Sequence, residues 1–152
     1  MIDNIRIITY DKSLRQDIIA FIKSIAIEEF GFTAWKDYLD NKDFSSYEKG
    51  ESLFLIAVDE NDEMVGSCGG LKVDDNVIKL NSFYVAKNMR NCKLGSRMYS
   101  LIEDFAKKHN FKQMILCTYE RFKTANEFYK KQGFKLYKIE EEIEHWLLKD
   151  LK

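Results

Sequence analysis

The sequence contains no proline, and it has only seven glycines, three cysteines and two histidines in 152 residues. No low-complexity linker or internal repeat divides the chain. The length and the uninterrupted order of elements therefore predict one domain over residues 1–152. A hydrophobic content of 45% and an aromatic content of 14% exclude a disordered chain.

The charges are nearly balanced, since the sequence has 24 Lys and Arg residues and 25 Asp and Glu residues, and the formal net charge is −1. Such a chain has no overall basic field, so we expect no nucleic-acid partner. No apolar run approaches the roughly 20 residues that a membrane span requires, and no signal peptide is visible. We therefore expect no membrane association.

The few cysteines and histidines form no recognisable metal or disulfide pattern. Cys68, Cys92 and Cys117 contain no C-x-x-C pair and no framework spacing, which favours a reduced, cytoplasmic setting. His109 and His145 lie far apart, and neither has the spacing of a metal ligand. We expect no metal in the site.

Hydrophobic periodicity predicts an α/β order of elements. The predicted strands cover residues 5–10, 52–58, 64–72, 77–85, 112–118, 134–138 and 143–148. The predicted helices cover residues 14–30, a weaker region at 33–50, residues 93 to 108, and residues 124–132. Because the strand at 112–118 follows a helix, we expect it to pair in parallel with the strand at 77–85.

The most informative stretch runs from Phe83 to Met98 and reads FYVAKNMRNCKLGSRM. A strand, a polar turn and a helix start follow one another here, which brings unpaired backbone N–H groups to the positive end of a helix dipole. Such a place binds an anion, typically a phosphate. Arg90, Lys93 and Arg97 add positive side chains. The stretch therefore predicts a pyrophosphate-binding loop.

Two common phosphate motifs are absent from this loop. The Walker A string G-x-x-x-x-G-K-[ST] does not occur, and neither does the G-x-G-x-x-G fingerprint of dinucleotide-binding folds. An ATP-dependent enzyme that uses the same loop remains an alternative. No acidic Mg²⁺-binding motif follows the loop, which argues against that alternative.

The loop residues Arg90-Asn91-Cys92-Lys93-Leu94-Gly95 resemble the acetyl-CoA motif [QR]-x-x-G-x-[GA] of the GNAT superfamily of N-acetyltransferases. Arg90 fills the first position and Gly95 the last, while Lys93 replaces the middle glycine. The stretch from Ala125 to Phe134, ANEFYKKQGF, resembles the second family signature A-x-x-[FL]-Y-x-K-x-G-F. Phe122 stands where the family commonly has an asparagine. The order of elements also matches over nearly the whole chain.

The resemblance implies a single-domain α/β acyltransferase fold. Its sheet would be mixed and mostly antiparallel, with six to seven strands flanked by about four helices. The fourth and fifth strands would splay apart at a bulge, where pantetheine pairs with the main chain of Phe83, Tyr84 and Val85. The implied contacts to the rest of acetyl-CoA come from Arg90, Asn91, Cys92, Lys93, Leu94, Gly95, Ser96, Ala125 and Lys131. A side chain placed at Gly95 is expected to face the diphosphate.

The resemblance further implies transfer of an acetyl group from acetyl-CoA to a primary amine of a small molecule or peptide by direct attack. Tyr129 would then be the general acid for the coenzyme thiolate. Many relatives carry a glutamate base on the fourth strand, whereas Lys79, Asn81 and Ser82 occupy the matching positions here.

The base therefore stays open. Glu48, Glu51 or the run Glu140–Glu142 would act through a water molecule, or the proton would be lost to solvent.

Residues 28–51 hold seven acidic and three basic residues. The segment is interpreted either as a solvated helix and loop or as one wall of a cleft for a cationic substrate. Glu28, Trp35, Glu48 and Glu51 are the candidate acceptor contacts, and the acids at 140–144 border the same cleft. This composition favours a small cationic amine, a polyamine or a lysine-like side chain. A catalytically weak acyl-CoA-binding or sensing module remains an alternative, and the chain is expected to be a monomer or a homodimer.

Overall fold

The computed structural model describes residues 4–142 and 144–151, and a single seven-stranded sheet dominates it. The strands are β1 Arg6–Thr9, β2 Leu53–Val58, β3 Met64–Lys72, β4 Val77–Val85, β5 Gln113–Tyr119, β6 Lys135–Glu140 and β7 Glu144–Asp150. Their spatial order is β1-β2-β3-β4-β5-β7-β6, and every neighbouring pair is antiparallel except β4–β5. The mixed, mostly antiparallel sheet and the parallel β4–β5 pair are as predicted. Ile143, which the predicted last strand included, lies outside the described residues.

Four α-helices flank this sheet within the described part of the chain. They are α1 Arg15–Lys23, α2 Lys36–Asp40, α3 Leu94–Lys108 and α4 Lys123–Lys131. A π-helical segment, Ser24–Glu29, continues α1 up to the turn at Gly31. The parallel β4–β5 pair is joined through α3, as a parallel connection requires a crossover.

The predicted helical region at 33–50 is broken into a short turn at Thr33–Trp35, the helix α2 and a second turn at Ser45–Glu48. Local side chains explain the break. The Asn41 side chain donates to the carbonyl of Asp37 at 2.8 Å, and the carboxylate of Asp43 accepts from the N–H of Ser45 at 2.8 Å. Such bonds compete with the helical ladder and favour turns.

Apolar residues on both faces of the sheet form two cores. On one face, Ile18 and Ile22 of α1 pack with Phe54 and Ile56 of β2. On the other face, residues of α3 pack against β4 and β5; these are Met98, Ile102, Ile78, Leu80 and Met114. Alternate residues of the central strands therefore face opposite helical layers, as the pleat requires. The helices α1 and α2 therefore cover one face of the sheet, and α3 and α4 cover the other.

Candidate functional site

The site begins where β4 and β5 separate. The two strands pair in parallel only over Val77–Lys79 and Gln113–Ile115, although β4 continues to Val85 and β5 to Tyr119. Among the described residues, no strand pairs with the edge of residues 80–85 that faces β5, although the carbonyl of Val85 accepts a hydrogen bond from Arg90 Nε. The open backbone groups along that edge can hydrogen-bond an extended ligand. We call this opening the β4–β5 gap, and it lies between the strands that were predicted to splay.

A bulge in β4 accompanies the gap. Val85 pairs with Gly66 and Tyr84 with Ser67, but Asn81 pairs with Gly69, so Ser82 and Phe83 together oppose one residue of β3. Ser82 has a left-handed φ of 51°, and its carbonyl accepts a hydrogen bond of 2.6 Å from the Ser67 hydroxyl. A bulge redirects the strand that carries it. The bulge thus lies directly before Tyr84 and Val85, the residues expected to meet pantetheine.

The loop ahead of α3 presents its backbone N–H groups at the same end of β4. In the described part of the chain, no acceptor bonds the N–H groups of residues 91–96. Asn91 and Lys93 have left-handed φ values of 66° and 69°. Since α3 is 15 residues long, its dipole places a partial positive charge of about half an elementary charge at these groups. An anion of the size of a diphosphate can bind there.

Arg90, the first residue of the loop motif, turns its side chain away from these N–H groups. Its guanidinium donates to the carboxylate of Glu29, with one bond of 2.9 Å, and its Nε donates to the carbonyl of Val85 at 3.0 Å. The hydrogen bonds from Arg90 lower the pKa of Glu29 below its usual value. Arg90 therefore fixes the loop to the end of β4 and to the π-helical segment.

Gly95 lies in the first turn of α3, close to β4. A Cβ on Gly95 would lie 3.4 Å from the ring of Phe83 and 3.7 Å from the side chain of Val85. A side chain there would therefore enter the packing between α3 and β4. The Cα–Cβ direction at Gly95 points at apolar residues of β4, and the expectation that a longer side chain would face the diphosphate stays a prediction. Cys92 donates its thiol to the carbonyl of Met89 at 2.7 Å, while Leu94 is buried and Ser96 is exposed.

Tyr129 projects from α4 toward the gap on the α3 side of the sheet. Its ring packs with Phe83, Phe128 and Phe134, at centroid distances of 6.4, 5.9 and 5.9 Å. Its hydroxyl has no hydrogen-bond partner among the residues described. Burial, and then the neighbouring Cys68 and Tyr84, raise the pKa of Tyr129. The hydroxyl is therefore a protonated, uncommitted donor near neutral pH.

The other two coenzyme candidates on α4 lie apart from each other. Ala125 is half-buried in the first turn, whereas Lys131 is exposed at the last residue of the helix. Six residues of α-helix separate them by about 9 Å along the axis. Ala125 is thus at the end of α4 that follows β5, and Lys131 at the opposite end.

The four acceptor candidates reach different parts of the molecule. Trp35 stacks on Phe32 at 4.4 Å and lies 6.4 Å from Tyr119, at the end of β5. Glu28 is exposed, and Glu48 forms an ion pair with Lys12 at 3.6 Å.

Glu51 pairs with Lys72 at 3.1 Å, at the end of β3 remote from Gly66 and Val85. The structure therefore brings Trp35 to the end of β5 but does not bring Glu51 to the gap.

Two residues that the pattern of the sequence did not single out as binding residues lie on the opposite side of the gap from Tyr129. The Tyr47 hydroxyl donates to Asn81 Oδ1 at 3.1 Å, and Asn81 is on β4 just past its last pair with β5. Burial raises the pKa of Tyr47 to about 12 and that of Tyr84 to about 12. The only available signal was that Asn81 is one of three polar residues, with Lys79 and Ser82, in a strand whose other residues are hydrophobic.

Across residues 4–142 and 144–151, no three His, Cys, Asp or Glu side chains converge as a metal site would require. In the same residues, no helix has the length and apolar character needed to cross a bilayer.

Comparison with known proteins gives a consistent result. The family model described as "Acetyltransferase (GNAT) family" matches residues 19–134. A Xenopus tropicalis protein named "Probable N-acetyltransferase camello" is 27% identical over 108 residues. That alignment covers 69% of this chain and 48% of the relative, so the chain spans about half of that protein's length.

Solved structures share the whole architecture. A GNAT-family acetyltransferase from Staphylococcus aureus Mu50 has a TM-score of 0.86 and 26% identity, with 97% of this chain and 99% of that chain covered. The PaiA N-acetyltransferase from Thermoplasma acidophilum, solved in complex with coenzyme A, has a TM-score of 0.76 and 17% identity, with 96% and 98% covered. The second likeness supports the fold alone.

Proposed function

Since the chain belongs to the GNAT family of acetyltransferases, we propose that it transfers the acetyl group of acetyl-CoA to a primary amine of a small molecule or peptide by direct attack. The observation that carries this proposal is the set of N–H groups at residues 91–96, which have no acceptor among the described residues and lie beside the open edge of β4. A structural neighbour with the same fold was solved in complex with coenzyme A, and we propose a ligand of this type here.

The residues of the loop and of β4 fit such a ligand. The N–H groups of residues 91–96 and the dipole of α3 would hold the diphosphate, with Lys93 adding an exposed positive charge. The open edge at Phe83, Tyr84 and Val85 would pair with the pantetheine amides, and a backbone N–H there would polarise the acetyl carbonyl. The coenzyme, when bound, supplies an acetyl thioester.

Tyr129 would act as the general acid. In the transfer, the amine nitrogen forms the C–N bond as the C–S bond breaks, nitrogen loses one proton, and sulfur gains one. The Tyr129 hydroxyl has no competing acceptor in the described structure, and its raised pKa keeps the proton in place until a thiolate develops. Its hydroxyl would give that proton to sulfur and regain one from the amine.

The domain organisation and the setting are part of the proposal. We treat residues 1–152 as one N-acetyltransferase domain that works in a reducing, cytoplasmic compartment on an amine partner. The three cysteines are free thiols, and Cys68 is buried, which supports a reducing environment.

Coenzyme binding and turnover should be measured separately. Isothermal titration with coenzyme A tests the loop, and thiol release from acetyl-CoA with a panel of primary amines tests the transfer. We expect both binding and thiol release. Binding without release for any amine would favour the sensing module, and absence of binding would contradict the proposal itself.

A further inference from the structure

Tyr47 and Asn81 form a polar pair on the face of the sheet opposite Tyr129. The Tyr47 hydroxyl donates to Asn81 Oδ1 at 3.1 Å, and Asn81 Nδ2 donates to the carbonyl of Lys79 at 3.3 Å. Lys79 is the last residue of β4 that pairs with β5, so the main chain of Asn81 borders the β4–β5 gap. An amide oxygen can accept two hydrogen bonds, and Asn81 Oδ1 uses one of them here.

Three neighbouring residues hold this pair in place. The ring of Tyr47 packs edge-on against Phe54 at 5.0 Å and tilts against Phe44 at 6.0 Å. On β3, Gly69 leaves the space that the pair occupies, since a Cβ there would lie 2.9 Å from Tyr47 Oη and 3.1 Å from Asn81 Oδ1. The position of Asn81 Oδ1 is therefore fixed by packing as well as by hydrogen bonds.

The charged residue next to Asn81 on the same face of β4 is Lys79, whose Nζ lies 5.0 Å from the ring of Trp146 and which supplies no negative charge. The pKa values of Tyr47, Tyr84 and Tyr129 are raised by burial and by neighbouring Tyr and Cys side chains, and no carboxylate of the described residues contributes.

Two carboxylates approach this side of the gap. Glu144 pairs with Tyr119 across β5 and β7 and raises the pKa of Tyr119. Glu48 raises the pKa of Tyr10, whose ring lies 6.4 Å from that of Tyr47, but Glu48 is already paired with Lys12.

The acidic residues of the 28–51 segment are largely used elsewhere. Asp40 pairs with Lys23 and Lys36, and Glu29 pairs with Arg90. An alkylammonium ion in the gap would therefore lose its hydration without gaining a counter-charge, which is costly.

We infer that the gap receives its acceptor as the uncharged free base, oriented through an N–H bond to Asn81 Oδ1, and that the acceptors are weakly basic primary amines. The inference rests on the proposed function. Asn81 stands on the strand where many relatives carry a glutamate base. It does not act as a base itself, because an amide takes up no proton near neutral pH. The ammonium loses its first proton to solvent before binding, and the remaining proton balance is the one given for Tyr129.

The free-base fraction sets the size of the effect. A peptide-type α-amine has a pKa of about 7.7–8.0 and a lysine-type amine about 10.4, so near pH 7 the free base of the first is roughly 300-fold more abundant. The more basic amine is the better nucleophile, which offsets part of this difference. We expect a preference of about tenfold or more in kcat/KM for the weakly basic amine.

The test compares glycinamide and propylamine, which are similar in size and differ in basicity. Thiol release from acetyl-CoA gives kcat/KM from about pH 6 to about pH 10 for each probe. We expect kcat/KM to rise about tenfold per pH unit, to level off near the pKa of glycinamide, and to keep rising to the end of the range for propylamine, so that the bend moves when the probe is changed. A bend at the same pH for both probes would reveal an ionising base on the protein and would overturn the inference.

Variants of Asn81 provide the second arm. Asn81→Ala should lower kcat/KM by about tenfold or more for glycinamide while the Kd of coenzyme A stays unchanged. In Asn81→Asp, the profile of kcat/KM against pH should gain an inflection on its acid side, at the same pH for both probes. Glu144→Gln is the matched control, with an unchanged pH profile expected.

Full activity of Asn81→Ala would contradict the orienting role of Asn81. Loss of the pH dependence of kcat/KM in Glu144→Gln would contradict binding of the free base. If neither probe releases thiol but more basic amines of the wider panel do, the inference fails and the proposed function survives. If the whole panel is silent, both fail.

Discussion

The guanidinium of Arg90 binds the carboxylate of Glu29 with two hydrogen bonds, one of them 2.9 Å long, across 61 residues of sequence. The same guanidinium lies 5.7 Å from the ring of Phe30. The pair joins the loop ahead of α3 to the π-helical segment that follows α1. In this molecule, the arginine of the motif therefore contributes by fixing the loop, whose main chain presents the N–H groups.

The Arg90–Glu29 pair should couple loop order to fold stability. A double-mutant cycle with Arg90→Met and Glu29→Gln is expected to give a coupling of about 0.5–1 kcal/mol in the free energy of unfolding, since both side chains remain partly exposed. Each single variant should also weaken coenzyme binding, because the loop loses its anchor. Urea unfolding and calorimetric titration measure the two effects, and additive single effects would contradict the coupling.

The pH dependence of this pair has a defined sign. The pKa of Glu29 lies below its ordinary value of 4.5 in the folded protein. The pair therefore stabilises the fold above that value and loses its contribution as the pH falls through the lowered pKa. Glu29→Gln should flatten this part of the acid stability curve. An identical acid profile for wild type and variant would show that the pair does not contribute.

Lys93 adopts a left-handed φ of 69° immediately before α3. This conformation costs a residue with a Cβ about 1–2 kcal/mol, whereas glycine adopts it freely but gains entropy in the unfolded chain. Lys93→Gly should therefore raise the free energy of unfolding by about 0.5 kcal/mol or more. The control is Lys87→Gly, in the turn Lys87–Met89, where φ is not positive and the same change should destabilise. Equal losses at both positions would contradict a strained Lys93.

Much of the fold could be predicted because its signals are local. Alternation marks the strands, and helical spacing marks α1, α3 and α4. The segment from Phe83 to Gly95 predicts a strand, a loop and a helix start from neighbouring residues alone. The glycine of the loop motif at its middle position also has a physical explanation. Lys93, which replaces it here, has a backbone conformation that favours glycine.

The acceptor side could not be predicted in the same way, because its features depend on partners distant in sequence. The acidic segment suggested a cleft for a cationic substrate, yet Glu48 and Glu51 pair with Lys12 and Lys72. Tyr47 meets Asn81 across 34 residues of sequence, and the contact needs Gly69 of β3 beside it. Composition counts charges but does not show which charges are paired.

Removal of the Tyr129 hydroxyl should lower turnover without changing coenzyme binding. Tyr129→Phe is expected to lower kcat by about 10²–10⁴-fold, the usual range for loss of a general acid. The ring contacts with Phe83, Phe128 and Phe134 survive, so the Kd of coenzyme A should remain within about twofold. Thiol-release kinetics and calorimetry measure both values.

The matched control for Tyr129 is Tyr137→Phe, which removes a hydroxyl from an exposed residue of β6. Its kcat should equal that of wild type. Because burial raises the pKa of Tyr129, activity of the wild type should persist to alkaline pH and fall only when the hydroxyl ionises. Unchanged turnover in Tyr129→Phe would remove this residue from the acid role.

Gly69 and Gly70 are adjacent on β3 and face opposite layers, so they form a matched pair. A Cβ on Gly69 would lie 2.9 Å from Tyr47 Oη, whereas a Cβ on Gly70 would lie 2.9 Å from the side chain of Ile102 in α3. Both Gly→Ala variants should destabilise the fold by about 1–3 kcal/mol through overpacking. Their effects on catalysis should differ, because only one of the two contacts borders the β4–β5 gap.

Gly69→Ala should displace the Tyr47–Asn81 pair and lower kcat/KM for the acceptor by about tenfold, with the Kd of coenzyme A unchanged. Gly70→Ala should retain kcat/KM in the fraction that stays folded, since Ile102 belongs to the core beneath α3. Unfolding curves give the folded fraction, and kinetics well below the transition give the rate. Equal catalytic losses in the two variants would mean that overpacking alone explains them, whereas a loss confined to Gly69→Ala requires that the Tyr47–Asn81 pair contacts the acceptor.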